Sequence, residues 1–203
     1  QAFSLPYAQA VAAQLNLLGG EALDLFPYAS TDTNLDQMVA DTAALQPDAV
    51  LIVSSAVKTA LLIQHFRLGE FEPALYATDW AFSETLLQTG GKAVEGVSLM
   101  ASFDINGDSA EMKAFQEKYQ ARYGYSPNYA AMQTYEAVLV LAEALRQTKG
   151  TSDGLPEALG NIRDLQGLNS TISMDEFGDV VRPVYLFQVQ DGKMVTVQEF
   201  NGD

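Results

Sequence analysis

The chain contains no cysteine in its 203 residues. Structural disulfides, thiol nucleophiles and thiolate metal sites are therefore excluded. It has one histidine, His65, set between Ile63 and Phe66 in a helix-like segment with no motif around it. A Ser-His-Asp triad would have to use this residue, and no nucleophile-elbow sequence accompanies it. Basic residues are few: 11 Lys and Arg stand against 26 Asp and Glu, a formal net charge of -15. A surface that acidic repels both the phosphate backbone of nucleic acids and anionic lipid, and its plainest role is solubility. No apolar run reaches the length of a membrane span, and no signal peptide opens the chain. Gly-rich phosphate loops, internal repeats and low-complexity tracts are also missing. No motif calls for a cofactor or a metal. Asp104-Ile105-Asn106-Gly107-Asp108 begins like a calcium loop, but the ligand order fails and Phe115 stands where the bidentate Glu belongs. That stretch reads as a turn.

What is present is core-forming material. Hydrophobic residues make up 48% of the chain, enough for one domain or two small ones. Tyr7, Val11, Leu15 and Leu18 recur at helical steps, and Gly19-Gly20 stops them. Ala22–Phe26 reads as a short strand. A second helix begins at Thr33, with Asp36 completing a capping box, and ends at Pro47-Asp48. Ala49–Val53 is a continuous apolar run of the kind that suits a parallel strand covered on both faces. A helix from Val57 to Leu68, strands at Ala74–Ala77 and Gly96–Ala101, and a short helix from Phe82 to Gln88 complete an alternation that predicts a parallel α/β sheet. From Asp104 the pattern changes. Asp108 is placed to cap a helix over Ser109–Tyr123, Gly124–Pro127 breaks it, and helices follow over Asn128–Gln147 and Asp153–Leu165. The chain closes on strands at Val181–Val189 and Met194–Phe200, joined by the hairpin signal Asp191-Gly192.

Several stretches, taken in order, carry a family resemblance. They are Phe115-Gln-Glu-Lys-Tyr119, Tyr123-Gly-Tyr-Ser-Pro127, Tyr129-Ala130 and Thr134-Tyr-Glu-Ala-Val138, then Phe177-Gly-Asp179 ahead of the terminal hairpin, and Gly19-Gly-Glu21 ahead of the second helix. Together they resemble the type I periplasmic binding proteins, the leucine/isoleucine/valine-binding group that serves ABC transporters. The resemblance implies an α/β fold with a parallel three-layer αβα sheet forming a second lobe, plus helices of an incomplete first lobe. Residues 1–104 and 167–203 would belong to the second lobe and 105–166 to the first, with three crossovers between lobes. Residue 1 sits just before a helix, and the strand the family places ahead of it is missing. The expectation is a fragment, or a chain that needs the missing N-terminal portion of the same protein as partner, because a vacant central strand leaves sheet edges with unpaired backbone groups.

Parallel sheets bind ligands at the carboxyl ends of their strands, where loops meet helix N-termini. Ser54 and Ser55 close the Ala49–Val53 strand and open the next helix; they are either its caps or residues lining a cleft. Asp79 and Trp80 follow Ala74–Ala77. By resemblance Asp79 takes the amino group of an amino-acid ligand through a charge-assisted hydrogen bond, while Trp80 packs on the ligand's apolar part or covers a cation. The alternative for this pair is a turn Asp and a partly buried Trp. Tyr7 matches a family aromatic at the start of the lobe's first helix, against a helix-end core reading. Tyr135 matches a tyrosine able to face the cleft from the other lobe, although its spacing with Met132 and Leu139 also fits plain core. Glu136 is expected to bind the hinge or water.

The function these readings imply is non-enzymatic capture of a small polar ligand, an amino acid or close relative, in the periplasm or outside the cell, with or without a lipid anchor. Delivery to the membrane permease of an ABC transporter would follow. The rival readings are a ligand-sensing receptor lobe of a signalling protein or lipoprotein and, with less support, a hydrolase.

Overall fold

A computed structural model describes residues 4–28, 34–69 and 71–200. The elements in order are α1 (Ser4–Leu17), α2 (Leu35–Ala44), β1 (Ala49–Ile52), α3 (Ala56–Leu68), β2 (Ala74–Thr78), α4 (Glu84–Gly90), β3 (Ser98–Ala101), α5 (Ala110–Tyr123), α6 (Tyr129–Gln147), α7 (Leu155–Gly160), β4 (Leu165–Gln166), β5 (Thr171–Met174), β6 (Val180–Val181), β7 (Val184–Gln190) and β8 (Lys193–Phe200). Single 3-10 turns, Asp79–Ala81 and Gly91–Val94, flank α4. A five-stranded sheet runs β1-β2-β3-β7-β8, and a three-stranded one runs β4-β5-β6. The chain forms two compact units: one holds 1–100 with 188–194, the other 101–187 with 195–203.

In the first unit β1, β2 and β3 are parallel neighbours, with Ile52 beside Ala77 and Thr78 beside Met100. Side chains alternate across a strand, and the two faces of this sheet differ. Ile52, Leu75, Ala77 and Leu99 are buried. So are Ala60, Leu62, Ile63 and Phe66 of α3 and Leu86 of α4, and the core of the unit is built from these residues. Leu51, Tyr76 and Met100, on the opposite face, are exposed. The continuous apolar run of β1 is therefore not covered on both faces as its sequence suggests.

Other local expectations are also corrected. Ala22–Phe26 is not a strand: residues 20–28 have no regular structure, and Leu23 and Leu25 are exposed. A strand is held by a ladder to a neighbour, and β1 is the outermost strand of its sheet. Thr33 lies outside the described residues; the N-cap of α2 is Asn34, whose side chain accepts from Gln37 N. Asp36 reaches His65 instead, Oδ1 to Nδ1 at 2.6 Å.

In the second unit Val140 and Ala144 of α6 pack with Ala158, Ile162 and Ile172 into one apolar cluster. Helix α7 stops at Gly160, not at Leu165, because the following segment turns into β4 and pairs antiparallel with β5. Ser109, one residue beyond the expected Asp108, caps α5 by accepting from Met112 N, and its hydroxyl also donates to Leu168 O. The Phe177-Gly-Asp179 motif is the turn between β5 and β6, where Asp175 Oδ1 accepts from the backbone N–H groups of Phe177 and Asp179 at 2.8 Å each. Asp104 does make a turn: its Oδ1 accepts from Asn106 N and from the Thr196 hydroxyl. The single strand expected over Val181–Val189 is split into β6 and β7 at Arg182-Pro183, where proline has no N–H to give to a ladder. At the tip of β7–β8, Asp191 and Gly192 both take positive φ, 51° and 70°, the pair a two-residue I′ hairpin demands.

Candidate functional site

The site is built from the carboxyl ends of β1 and β2. Two residues beyond the paired positions Ile52 and Ala77 stand Ser54 and Asp79. Neighbouring strands lie about 4.8 Å apart, so the two segments leave the sheet side by side. Ser55 occupies the N-cap position of α3 with extended backbone, yet its side chain makes no capping hydrogen bond. The capping reading of this serine is not realised, and the first N–H groups of α3 carry the positive end of the helix dipole.

Asp79 is half-buried in its 3-10 turn. Burial pushes its carboxyl above the usual carboxylate range, and the backbone N–H groups of Trp80 and of Asp79 itself pull it part of the way back. No cation figures among these influences. Tyr7, on the first turns of α1, is half-buried as well; burial raises its phenol, and the proximity of Asp79 raises it further. The electrostatic influence of the carboxylate brings Tyr7 and Asp79 into one locality. Trp80, half-buried, follows in the same turn.

Two residues that the sequence reading passed over stand with these. Tyr28 is half-buried, with its hydroxyl oxygen fully buried and lacking a hydrogen-bond partner. Burial raises its phenol, and Ser54 lies near enough to offset that in part without completing a bond. Thr78, 5% exposed, has an unpartnered buried hydroxyl and immediately precedes Asp79. The first unit thus gathers Tyr7, Tyr28, Ser54, Ser55, Thr78, Asp79 and Trp80 at one end of its sheet: a carboxylate, several hydroxyls and an indole.

His65 is elsewhere. From Ser55 to His65 helix α3 rises about 15 Å, and there the imidazole joins α3 to Asp36 of α2. In the second unit Tyr135 is exposed and rests against Phe115 with ring centroids 4.8 Å apart. Glu136 is buried, accepting from Leu168 N at 2.9 Å and from Arg182 at 2.7 Å. Its role is to hold the backbone of that unit together. Among the described residues no group of three or more His, Asp or Glu side chains is placed to hold a metal ion, and no helix is long and apolar enough to cross a membrane.

The residues stand at the carboxyl ends of parallel strands, the place where open α/β sheets take their ligands. The family model for periplasmic binding proteins matches residues 1–193, and the chain belongs to that family. Among solved structures it is similar to a leucine-binding protein LivK from Thermotoga maritima, with 25% identity and a TM-score of 0.90 over 99% of this chain and 58% of that one. It shares its fold with the branched-chain amino acid transporter substrate-binding protein LivJ of Streptococcus pneumoniae in complex with isoleucine, at 20% identity and a TM-score of 0.82 over 96% of this chain and 57% of that one. It also shares it with an ABC transporter solute-binding protein of R. palustris in complex with benzoate, at 20% identity and a TM-score of 0.81 over 94% and 53%. The chain therefore spans little more than half the length of these proteins. The fold class is α/β with a parallel-dominated sheet, that of the type I periplasmic binding proteins.

Proposed function

We propose that the chain carries one lobe and part of the other of an extracytoplasmic solute-binding protein, which captures an amino acid or a close relative and hands it to the permease of an ABC transporter. Residues 1–104 with 167–203 would form the second lobe and 105–166 part of the first, with the remainder of the first lobe supplied by the portion of the protein that this chain does not span. Capture is reversible: desolvation and hydrogen bonding as two lobes close, with no covalent step.

The observation that carries this reading is Asp79, a half-buried carboxylate whose influences are burial and backbone N–H groups, with no cation among them. Burying a charge is costly, the backbone N–H groups offset only part of that cost, and a ligand ammonium would offset the rest. Relatives of the same fold hold ligands as different as isoleucine and benzoate, so the fold alone does not choose the ligand. Asp79 does: it repels a plain carboxylic acid and attracts an amine. Tyr7, Ser54 and Ser55 would share the polar contacts, Trp80 would pack on the ligand's apolar part, and Tyr135 would approach from the first lobe.

The test is a thermal-shift and calorimetric panel of amino acids, amides and carboxylic acids on the intact protein and on Asp79→Asn. A ligand at a hundred times its Kd adds about 2.7 kcal/mol to stability. A shift confined to compounds with an amine, and lost in Asp79→Asn, supports the reading. A shift from benzoate-like acids that survives Asp79→Asn refutes it.

A further inference from the structure

Among the described residues, the five-stranded sheet ends on β8, with β7 on one side and no strand on the other. An open strand edge is a template for pairing with another chain, and folded proteins blunt it with short length, proline, bulges or charge. Little of this protects β8. Its eight residues, Lys193–Phe200, include no proline or glycine, and its two charges, Lys193 and Glu199, stand near its ends.

The hairpin decides which backbone groups point outward. The N–H and C=O of Val189 both bond to the segment Gly96-Val97, so Gln188 and Gln190, which alternate with it, turn theirs to β8. The two-residue turn Asp191-Gly192 sets Gln190 against Lys193. Lys193, Val195, Val197 and Glu199 therefore bond inward to β7, while Met194, Thr196 and Gln198 present their N–H and C=O groups at the open edge. The side chains of the inward-bonded four share one face, and all four are exposed, Val195 at 37% and Val197 at 46%. Neither Lys193 nor Glu199 has an ion-pair partner among the described residues. Along the strand this face runs Lys, Val, Val, Glu, which complements itself when a second copy is laid beside it in reverse.

We infer that β8 is the contact for a second copy of the same protein, paired antiparallel about a two-fold axis through Thr196. Thr196 then exchanges backbone bonds with Thr196 of the second copy, and Met194 with Gln198. That register sets Val195 against Val197 and Lys193 against Glu199, in the non-hydrogen-bonded positions where antiparallel side chains approach most closely. Sliding one copy by two residues, the smallest shift that keeps outward groups paired, sets a valine against Glu199 or Lys193 instead. Each copy carries a formal net charge of -15, so association works against general repulsion. The two-fold axis answers this by supplying the Lys193–Glu199 pair twice, and a contact of that symmetry closes at two copies.

The experiment is sedimentation equilibrium of the intact protein over a concentration series at physiological ionic strength. The variants are Lys193→Glu, Glu199→Lys, the double reversal and Gln198→Pro. Wild type is expected to show a monomer–dimer equilibrium. Each single reversal should weaken it about tenfold, because the axis repeats every cross-strand contact, and the double reversal should restore it. Glu199→Lys is the sharper test: it lowers the net negative charge, so general repulsion alone would make that variant dimerise more tightly. Gln198→Pro deletes an outward N–H that β7 does not use, a change that an edge strand tolerates, and should abolish the dimer. A protein that stays monomeric throughout the series overturns the inference. So does a dimer that the single reversals leave intact, or a loss that the double reversal does not repair. Ligand capture as read from Asp79 is untouched by any of these results.

Discussion

Removing the Glu136 carboxylate should destabilise the second unit more than any other single change outside the apolar core. Two bonds converge on it: Leu168 N donates to Oε1 at 2.9 Å and Arg182 Nη1 donates to Oε2 at 2.7 Å. The two charged side chains are 10% and 18% exposed, so this is a buried pair rather than a surface one. Taking away one partner of such a pair strands the other charge in a poor solvent, at about 3–5 kcal/mol. Glu136→Ala strands Arg182 and also leaves the Leu168 amide without its acceptor. For a chain of this size the corresponding fall in Tm is roughly 6–20 °C. Arg182→Ala should be of similar size, since it strands Glu136. The double variant Glu136→Ala/Arg182→Ala should lie well short of the sum, because the second change relieves the charge stranded by the first. Urea unfolding followed by circular dichroism measures all three, and hydrogen exchange at the Leu168 amide reads the local consequence: its protection should collapse in Glu136→Ala. Single-variant losses below about 1 kcal/mol, the range of exposed pairs, or strictly additive losses, would refute the reasoning.

Three further outcomes follow from named contacts. Asp79→Asn should abolish binding of amine ligands yet stabilise the unliganded protein: burial raises the folded-state pKa of Asp79, so the native state binds the proton more tightly than the unfolded chain and loses stability as pH rises. The advantage of the Asn variant in a Tm-versus-pH series should be absent below the ordinary carboxylate pKa, grow through the window up to the raised one, and hold constant above it. Gly167→Ala should destabilise by about 1–3 kcal/mol, the usual range for overpacking, because an added Cβ would stand 2.7 Å from Ser170 O and 2.8 Å from Glu136 Oε1; denaturant midpoints of the two proteins check it. Ser109→Ala removes both the cap of α5 and the hydrogen bond to Leu168 O, and should lower unfolding stability by about 1–2 kcal/mol.

Much of the architecture is legible in the sequence because its signals are local. Most of the helix periodicities, the Asp191-Gly192 hairpin and most of the apolar strand runs produce the elements they announce, within a few residues. What is not legible depends on neighbours. Ala22–Phe26 has the composition of a strand and remains irregular, because a strand is made by the ladder beside it. The capping of α2 and α5 moves by one residue from the expected position, to Asn34 and Ser109, since several adjacent polar side chains could serve and only the backbone path decides. The segment 165–180 reads as the end of a helix and a loop, because the short strands β4, β5 and β6 carry too few residues for any periodicity to show.

The candidate site divides along the same line. Asp79, Ser54 and Ser55 are found by a rule that needs no partner, namely that ligands meet parallel strands at their carboxyl ends. Applied to Ala22–Phe26 the same rule would also have picked out Tyr28, two residues past the end of that segment. Thr78 is different: a threonine closing a buried strand reads as packing, and only the burial of a hydroxyl with no partner marks it otherwise. That asymmetry has a physical origin. Sequence shows which polar groups a chain carries, and evolution places most of them where water or backbone can answer them. A group left unanswered, such as the buried hydroxyls of Tyr28, Thr59 and Thr78, is visible only once every neighbour is in place.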